Sequence, residues 1–534
     1  MSTRKGHISV NTTDIFPIIK KWLYSEHDIF IRELVSNATD AISKRATLAR
    51  TTGQEVGEQK ITVAIDKAAK TITFKDTGLG MSEEEVEKYI AQLAFSGAEE
   101  FVQKMKDQGD QSTEEIIGKF GLGFYSAFMV AEKVIVESLS MNEGAKATKW
   151  ECDGSTDYEF SDSDKTEVGT EITLYINEES KEFLDNWKTR ETLTKYCDFM
   201  PYKIELKDLN EIANILAANA KAEKEEDKKP LPNDIINETT PLWKKDPATL
   251  KDEDYKTFYR KLYPMDPEPL FWLHLNVDHP FTLQGILFFP KLNPNKPMND
   301  SNIKLYCKQV FVSDNVKNII PEFLGLLKGA IDSTDIPLNV SRSALQGDPN
   351  IKKISNYIVK KVAESLKKRF KNDREGYDKS WEDIGLFVKY GVVSDPKFDE
   401  LMRDKVLFKN SEDKFVTLSE YTESIPEKLK EKMKGKVVYF EDHASDANLR
   451  AQLLAEGVHA ITTDNYIDPH FMQHTEMQKQ GEEAIKYQLV DNAIEDVLET
   501  ENATEDDMKI KDLFTSFLVG EKDEKNPSQM EIEV

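Results

Sequence analysis

Residues 28–45, DIFIRELVSNATDAISKR, constrain the fold more tightly than any other stretch of this 534-residue chain. Phe30, Leu34, Ala38, Ala41 and Ile42 recur at helical spacing, which predicts a long helix whose apolar face lies against a sheet. Glu33 and Asn37 are four residues apart and share the adjoining face, and Asp40 completes that stripe. A carboxylate and an amide are thus expected at the edge of a core. That placement suits a general base beside a metal ligand, provided the rest of the chain supplies something for them to act on.

The segments that follow supply candidates. Residues 61–66 and 71–75 alternate as two strands around a turn at 67–70. The second strand runs into Asp76, Thr77, Gly78, Leu79 and Gly80. Glycines let the backbone approach a flat ligand, and a carboxylate at a strand end can accept from the exocyclic amine of adenine. Alone, DxGxG is a common turn; its spacing after ELVSNATDA gives it weight. A helical pattern over 82–101 begins with acidic residues that suit the helix dipole, and a polar loop is expected over 104–113. In 117–128, IGKFGLGFYSAF, the glycines Gly118, Gly121 and Gly123 precede a helix-like run, so backbone NH groups can converge on phosphate beneath a closing lid. A GxxGxG loop by itself is weak evidence. Further strands are expected at 7–10, 134–138, 149–152 and 169–176, with a helix at 15–24. The strand at 169–176 carries Thr170, whose hydroxyl can sit beside Asp76.

Four elements now stand in one order: ELVSNATDA at 33–41, DTGLGM at 76–81, IGKFGLGFYSAF at 117–128 and GTEITL at 169–174. The set resembles the nucleotide-binding domain shared by gyrase, MutL, histidine kinases and the heat-shock protein 90 chaperones, the GHKL ATPases. IFIRELVSNATDA together with GFYSAF resembles the bacterial branch of the heat-shock protein 90 family, and the likeness extends through the rest of the chain. It implies an α+β and α/β multidomain architecture: an N-terminal Bergerat-type α/β sandwich over 1–210, a short charged linker over 211–235, an α/β middle domain of ribosomal-protein-S5-like topology over 236–491, and the beginning of a dimerisation domain over 492–534. It further implies ATP and magnesium (Mg2+) as cofactors. Glu33 would orient or deprotonate the attacking water and Asn37 would coordinate the metal, with Asp40 also in the nucleotide site. Asp76 would bind adenine, supported by Gly80, Met81 and Thr170, while Gly118, Phe120, Gly121, Gly123 and Phe124 would cover the phosphates. Arg32 resembles a family residue that restrains the catalytic glutamate; a surface arginine fits the pattern equally. The chain departs from the family at YIAQLAFSG, 89–97, where Tyr89 and Phe95 stand in place of the usual asparagine and lysine.

Beyond a charged, proline-bearing run at 217–232, strands are expected at 271–277, 281–289 and 303–312, and helices at 322–329 and 351–370. Trp243, Phe271 and Trp272 are expected in a core or interface. In PLNVSRSALQ, Arg342 and Gln346 are four apart and can face one ligand if the segment turns helical at Ser341, although an isolated arginine is usually a surface residue. The family resemblance implies a middle-domain catalytic loop in which Arg342 meets the γ-phosphate and Gln346 supports it. A second α/β portion over 381–491 has strands expected at 436–440 and 460–462. His470 and His474, four apart in HFMQHTEM, invite a metal reading, but no third ligand is placed beside them. They are taken as solvated or packed, and the Phe and Met residues there as exposed apolar surface for other proteins. A further helix is expected at 506–519.

Net charge of −26 argues against a nucleic-acid partner. Cys152, Cys197 and Cys307 are odd in number and widely separated, which fits a reducing compartment rather than a disulfide framework. No apolar run has signal-peptide or membrane-spanning length, so a cytoplasmic protein with no membrane partner is expected. The chain ends in MEIEV, an alternating strand pattern without a following partner. Longer family members form homodimers through helices beyond this point, so the chain is expected to be truncated and monomeric or only weakly dimeric. The resemblance implies an ATP-dependent stress-response chaperone acting on unfolded clients. The alternatives are a nucleotide-binding holdase or scaffold with negligible hydrolysis, and a histidine kinase or gyrase-type ATPase. The kinase lacks support from a membrane segment or a phosphoacceptor region; the acidic charge and SRSALQ oppose the gyrase type.

Overall fold

The helix expected at 28–45 spans Ile29–Thr52 (α1). It runs past Arg45 because Ala, Leu and Arg keep it in good helix formers, and it stops at Gly53, whose left-handed backbone (φ +69°) lets its NH bond the Ala49 carbonyl. The computed structural model describes residues 26–53, 55–92, 97, 101, 117, 121–155, 157–222, 224, 228–291, 302–314, 316, 319–336, 349–441, 447–464, 466–478, 484–493, 508–510 and 513. The segments expected at 7–10 and 15–24 lie outside them.

Beneath α1 lies a seven-stranded sheet of β1 (Lys60–Asp66), β2 (Thr71–Asp76), β3 (Ala131–Leu139), β4 (Thr148–Cys152), β5 (Tyr158–Asp162), β6 (Gly169–Ile176) and β7 (Lys203–Asp208). Its order is β5-β4-β3-β6-β2-β1-β7, antiparallel except for the parallel pair β1–β7. Leu34, Val35, Ala38 and Ile42 of α1 share a core with Ile61, Val63, Ile72 and Phe74 of the sheet, each buried Val, Leu, Ile or Phe side chain being worth ~1.5–3 kcal/mol. The helical pattern at 82–101 yields α2 (Glu83–Tyr89), started by a capping box between Ser82 and Glu85. GFYSAF forms a 3-10 helix, Gly123–Met129, and not an α-helix. Strand β5 escaped the sequence because its side chains are mostly exposed and polar. Helix α3 (Asn186–Cys197), capped by Asp185, leads into β7, and α4 (Leu209–Asn219) follows it.

A second sheet has the order β11-β10-β12-β9-β8, from β8 (Phe271–Val277), β9 (Leu283–Phe289), β10 (Asn302–Cys307), β11 (Val310–Ser313) and β12 (Lys328–Asp332), with α5 (Asp252–Leu262) preceding it. The single strand expected at 303–312 is a hairpin, because Lys308 and Gln309 both take positive φ, +54° and +66°. Gln309 is held there by its side chain, which donates to the carbonyls of Phe199 and Thr239, and by its NH on the Asp332 carboxylate. The helix expected at 322–329 is a 3-10 turn, Glu322–Leu326, running into β12. Trp243 and Phe271 are buried, and Trp272 stacks on Tyr255 at 4.9 Å.

The chain divides into two units, Met1–Val359 and Lys360–Val534, with α6 (Pro349–Asn372) crossing the boundary. The second unit contains α7 (Arg374–Ser394), α8 (Pro396–Met402), β13 (Phe408–Asn410), β14 (Phe415–Val416) and β17 (Lys486–Leu489), in a sheet of order β14-β13-β16-β15-β17. The strands expected at 436–440 and 460–462 are β15 (Lys436–Glu441) and β16 (Ile461–Thr463). On helix Asp468–Gln478, Phe471 and Met472 are buried and only Met477 is exposed, so the apolar surface expected from that segment is largely core. His474 lies 3.1 Å from Asp399, which also pairs with Arg403. Among the described residues no cluster of three or more His, Cys, Asp or Glu could hold a metal, and no helix is long and apolar enough to cross a membrane. Cys152 and Cys197 are buried and Cys307 is half-buried.

Candidate nucleotide site

The register of the first sheet pairs Lys75 with Glu171 and Ser138 with Thr170. That brings the ends of β2, β6 and β3 together, so Asp76, Thr170 and Ser138 meet although 94 residues separate the first two. Asp76 Oδ1 accepts from the NH of Gly78 at 2.7 Å and of Thr170 at 3.3 Å. Among the described residues Oδ2 is left as the acceptor for a ligand. Burial pushes the Asp76 carboxyl up to about 6, against the pull of those two NH groups and the charges of Lys165 and Arg45. Thr170 Oγ1 and Ser138 Oγ share a hydrogen bond of 2.9 Å, and Ser138 Oγ accepts from the Met81 NH at 2.8 Å.

Two glycines are compulsory in this layer. Gly80 has φ +66°, and a methyl group on it would stand 1.8 Å from the Leu139 carbonyl oxygen. Gly169 has φ +131°, and its methyl group would stand 2.2 Å from the Asp76 carbonyl oxygen. The turn after β2 is tied to α1: the Leu79 NH donates to the Ala41 carbonyl at 3.2 Å, and Arg45 Nη1 donates to the Thr77 carbonyl at 2.8 Å.

The acidic stripe of α1 meets the glycine loop. Glu33 is 4% exposed; its Oε1 accepts from Arg32 Nε at 3.0 Å. Its Oε2 faces Gly123, where a methyl group would stand 2.6 Å away. Two turns along, Asp40 Oδ1 accepts from the Ile117 NH at 2.7 Å. Asn37 lies half-buried between them. Arg32 is itself buried, so its surface reading is corrected. Gly121 takes φ +64° at the start of the loop's return. The Phe124 ring is buried against Tyr125, Phe128 and Trp150, so only its backbone is available to a ligand. The Tyr89 ring lies under Lys88 Nζ and against Gly97. Gly118, Phe120, Phe95, Arg342 and Gln346 lie outside the described residues.

Glu33, Asn37, Asp40, Asp76, Gly80, Met81, Gly121, Gly123 and Thr170 are therefore gathered around one helix. Sequence reasoning missed Ser138 and Arg45: a strand serine and a helix arginine carry no motif, and only the register and the turn geometry reveal their use.

Residues 214–517 match the family model described as Hsp90 protein, and residues 24–185 the model described as histidine kinase-, DNA gyrase B-, and HSP90-like ATPase. The chain is 47% identical over 482 residues to the chaperone protein HtpG of Porphyromonas gingivalis, covering 89% of this chain and 68% of that protein. To chaperone protein HtpG of Bacteroides thetaiotaomicron it is 44% identical over 521 residues, with coverages of 96% and 74%. To that of Borreliella afzelii it is 35% identical over 430 residues, with coverages of 79% and 68%.

Proposed function

The chain belongs to the Hsp90 family and is an ATP-dependent chaperone; on that premise we propose that its hydrolytic site is built on α1, with Glu33 as the base and Asp76 as the adenine acceptor. The observation that carries this reading is the seating of Glu33 Oε2 against Gly123 while its Oε1 is occupied by Arg32. One carboxylate oxygen is fixed and the other faces the loop proposed to cover the phosphates. The water oxygen attacks the γ-phosphorus as the bond to the β,γ-bridging oxygen breaks, its electrons leaving with ADP, and the water proton passes to Glu33.

The donor set fits magnesium. Asn37 offers one hard carboxamide oxygen a turn from Glu33, and magnesium commonly takes one or two protein oxygens, the rest coming from phosphates and water. When bound, it neutralises charge building on the phosphate oxygens. Asp40 holds the loop through the Ile117 NH, and Gly80, Met81 and Thr170 shape the purine end, while Gly118, Phe120, Gly121 and the Phe124 backbone complete the phosphate cover. Arg342, supported by Gln346, is proposed to reach the γ-phosphate, a contact worth on the order of 10³ to 10⁵ in rate in comparable sites. The proposed division is 1–210 for nucleotide, 211–235 as linker, 236–491 for the catalytic loop and clients, and 492–534 as the start of a pairing domain. A cytoplasmic, stress-linked role with unfolded clients completes the reading. Pairing of two copies is read by light scattering.

Calorimetric ATP binding with single-turnover hydrolysis tests the site. Glu33→Ala should bind ATP and lose turnover, whereas Asp76→Asn should lose binding. Full turnover in Glu33→Ala would sink the assignment, and equal client protection with and without ATP would favour the holdase.

A further inference from the structure

The Arg32 guanidinium that pairs with Glu33 is not held by Glu33 alone. Its Cζ stands 5.6 Å from the centroid of the Tyr196 ring, in the last turn of α3. That ring is 3% exposed. Its hydroxyl donates to the Asp28 carboxylate at 2.8 Å and lies 3.1 Å from that of Glu26, while Lys195 bridges the same two carboxylates at 2.9 Å each. The ring is thus tethered at its polar end just before α1 begins. A second neighbour is Phe311 of β11, with centroids 6.0 Å apart. Phe311 in turn belongs to an aromatic group with Tyr306, Trp243 and Phe199. A guanidinium with its Nε on a carboxylate and its Cζ over an aromatic ring is held at two points rather than one.

We propose that Tyr196 is a positioning residue for ATP hydrolysis: its ring holds Arg32 on Glu33 Oε1, which keeps Oε2 directed at Gly123, and its contact with Phe311 makes that hold depend on the seating of the second sheet. The proposal rests on Glu33 being the base. It gives the buried ion pair a use that charge alone does not. Arg32 could neutralise Glu33 in many orientations; lying by Tyr196, it permits few. It also explains how residues 32, 196 and 311, distant in sequence, bear on one carboxylate.

The test compares Tyr196→Leu, which removes the ring, with Tyr196→Phe, which keeps it. Tyr196→Leu should lower the single-turnover rate at saturating ATP by about tenfold or more, since an ångström of misplacement can cost on the order of 100-fold. Its calorimetric Kd for ATP should stay within about twofold, the mark of an interaction that acts on the transition state. Tyr196→Phe should restore the rate to within about threefold, and Phe311→Ala should reproduce at least about a threefold loss. In an Arg32→Ala background, Tyr196→Leu should add nothing.

Equal losses in the Leu and Phe variants, a wild-type rate in Tyr196→Leu, or full additivity with Arg32→Ala would overturn the proposal. So would loss of ATP binding in Tyr196→Leu, which marks a merely structural role. An unchanged rate in Phe311→Ala would overturn the link to the second sheet. Failure of the underlying reading has a different signature: Glu33→Ala would itself turn over ATP at the full rate.

Discussion

Asp76 serves two opposed demands. Burial raises its carboxyl from the ordinary aspartate value to about 6, so its contribution to folding is fully present below the unfolded pKa and is lost as pH rises through about 6. At pH 7 the ionised form therefore costs roughly 3 kcal/mol. In the proposed site, in contrast, the purine amine would take the ionised form as its acceptor. Two outcomes follow for this residue. ATP affinity measured by calorimetry should weaken by up to about tenfold per pH unit below 6, with protons released on binding near that pH. Asp76→Asn should melt no lower than the parent at pH 7.5 while losing nucleotide. Gly123 makes a separate prediction. A methyl group there displaces Glu33 Oε2, so Gly123→Ala should reduce single-turnover hydrolysis by on the order of 100-fold, with a smaller change in ATP affinity.

At the scale of elements, the glycines separate backbone strain from collision. Gly53 ends α1 at φ +69° with nothing within 4 Å of an added methyl group. Gly53→Ala should therefore cost about 1 kcal/mol in urea titrations and leave hydrolysis unchanged. Gly169 carries both penalties, a positive φ and a methyl position 2.2 Å from backbone, and it stands where β6 meets β2. Gly169→Ala should cost more than about 3 kcal/mol and take nucleotide binding with it. Legibility differed among elements in the same way. The α1 face, DTGLG and GTEITL were readable because apolar period and glycine spacing are local. The hairpin joining β10 and β11 was not, because Lys308 and Gln309 replace the Asn and Gly that normally announce positive φ. The GFYSAF run looked helical, and its tighter 3-10 form carries Phe124 into the core beside Trp150.

At the scale of the molecule, the two units should respond to different perturbations. The ATPase family match, residues 24–185, lies within Met1–Val359, so ATP at about 100 times its Kd should add ~2.7 kcal/mol to that unit's calorimetric transition and leave the other in place. In Lys360–Val534, Lys389 of α7 and Asp468 form an ion pair with side chains 8% and 2% exposed. Removing one partner strands a buried charge. Lys389→Ala should lower the second unit's transition by about 3–5 kcal/mol with ATP affinity unchanged.

The sequence alone settled the family, the helix that bears Glu33, Asn37 and Asp40, and the glycine-bearing segments around it, because helical period, turn chemistry and motif spacing act over short stretches of chain. Tertiary structure decided what each polar atom faces. Strand register set Ser138 and Thr170 beside Asp76, and burial raised that carboxyl. The packing of α3 and β11 placed Tyr196 between Arg32 and Phe311. Those relations join residues tens to hundreds of positions apart, and the free energy that fixes them comes from a core no local pattern specifies.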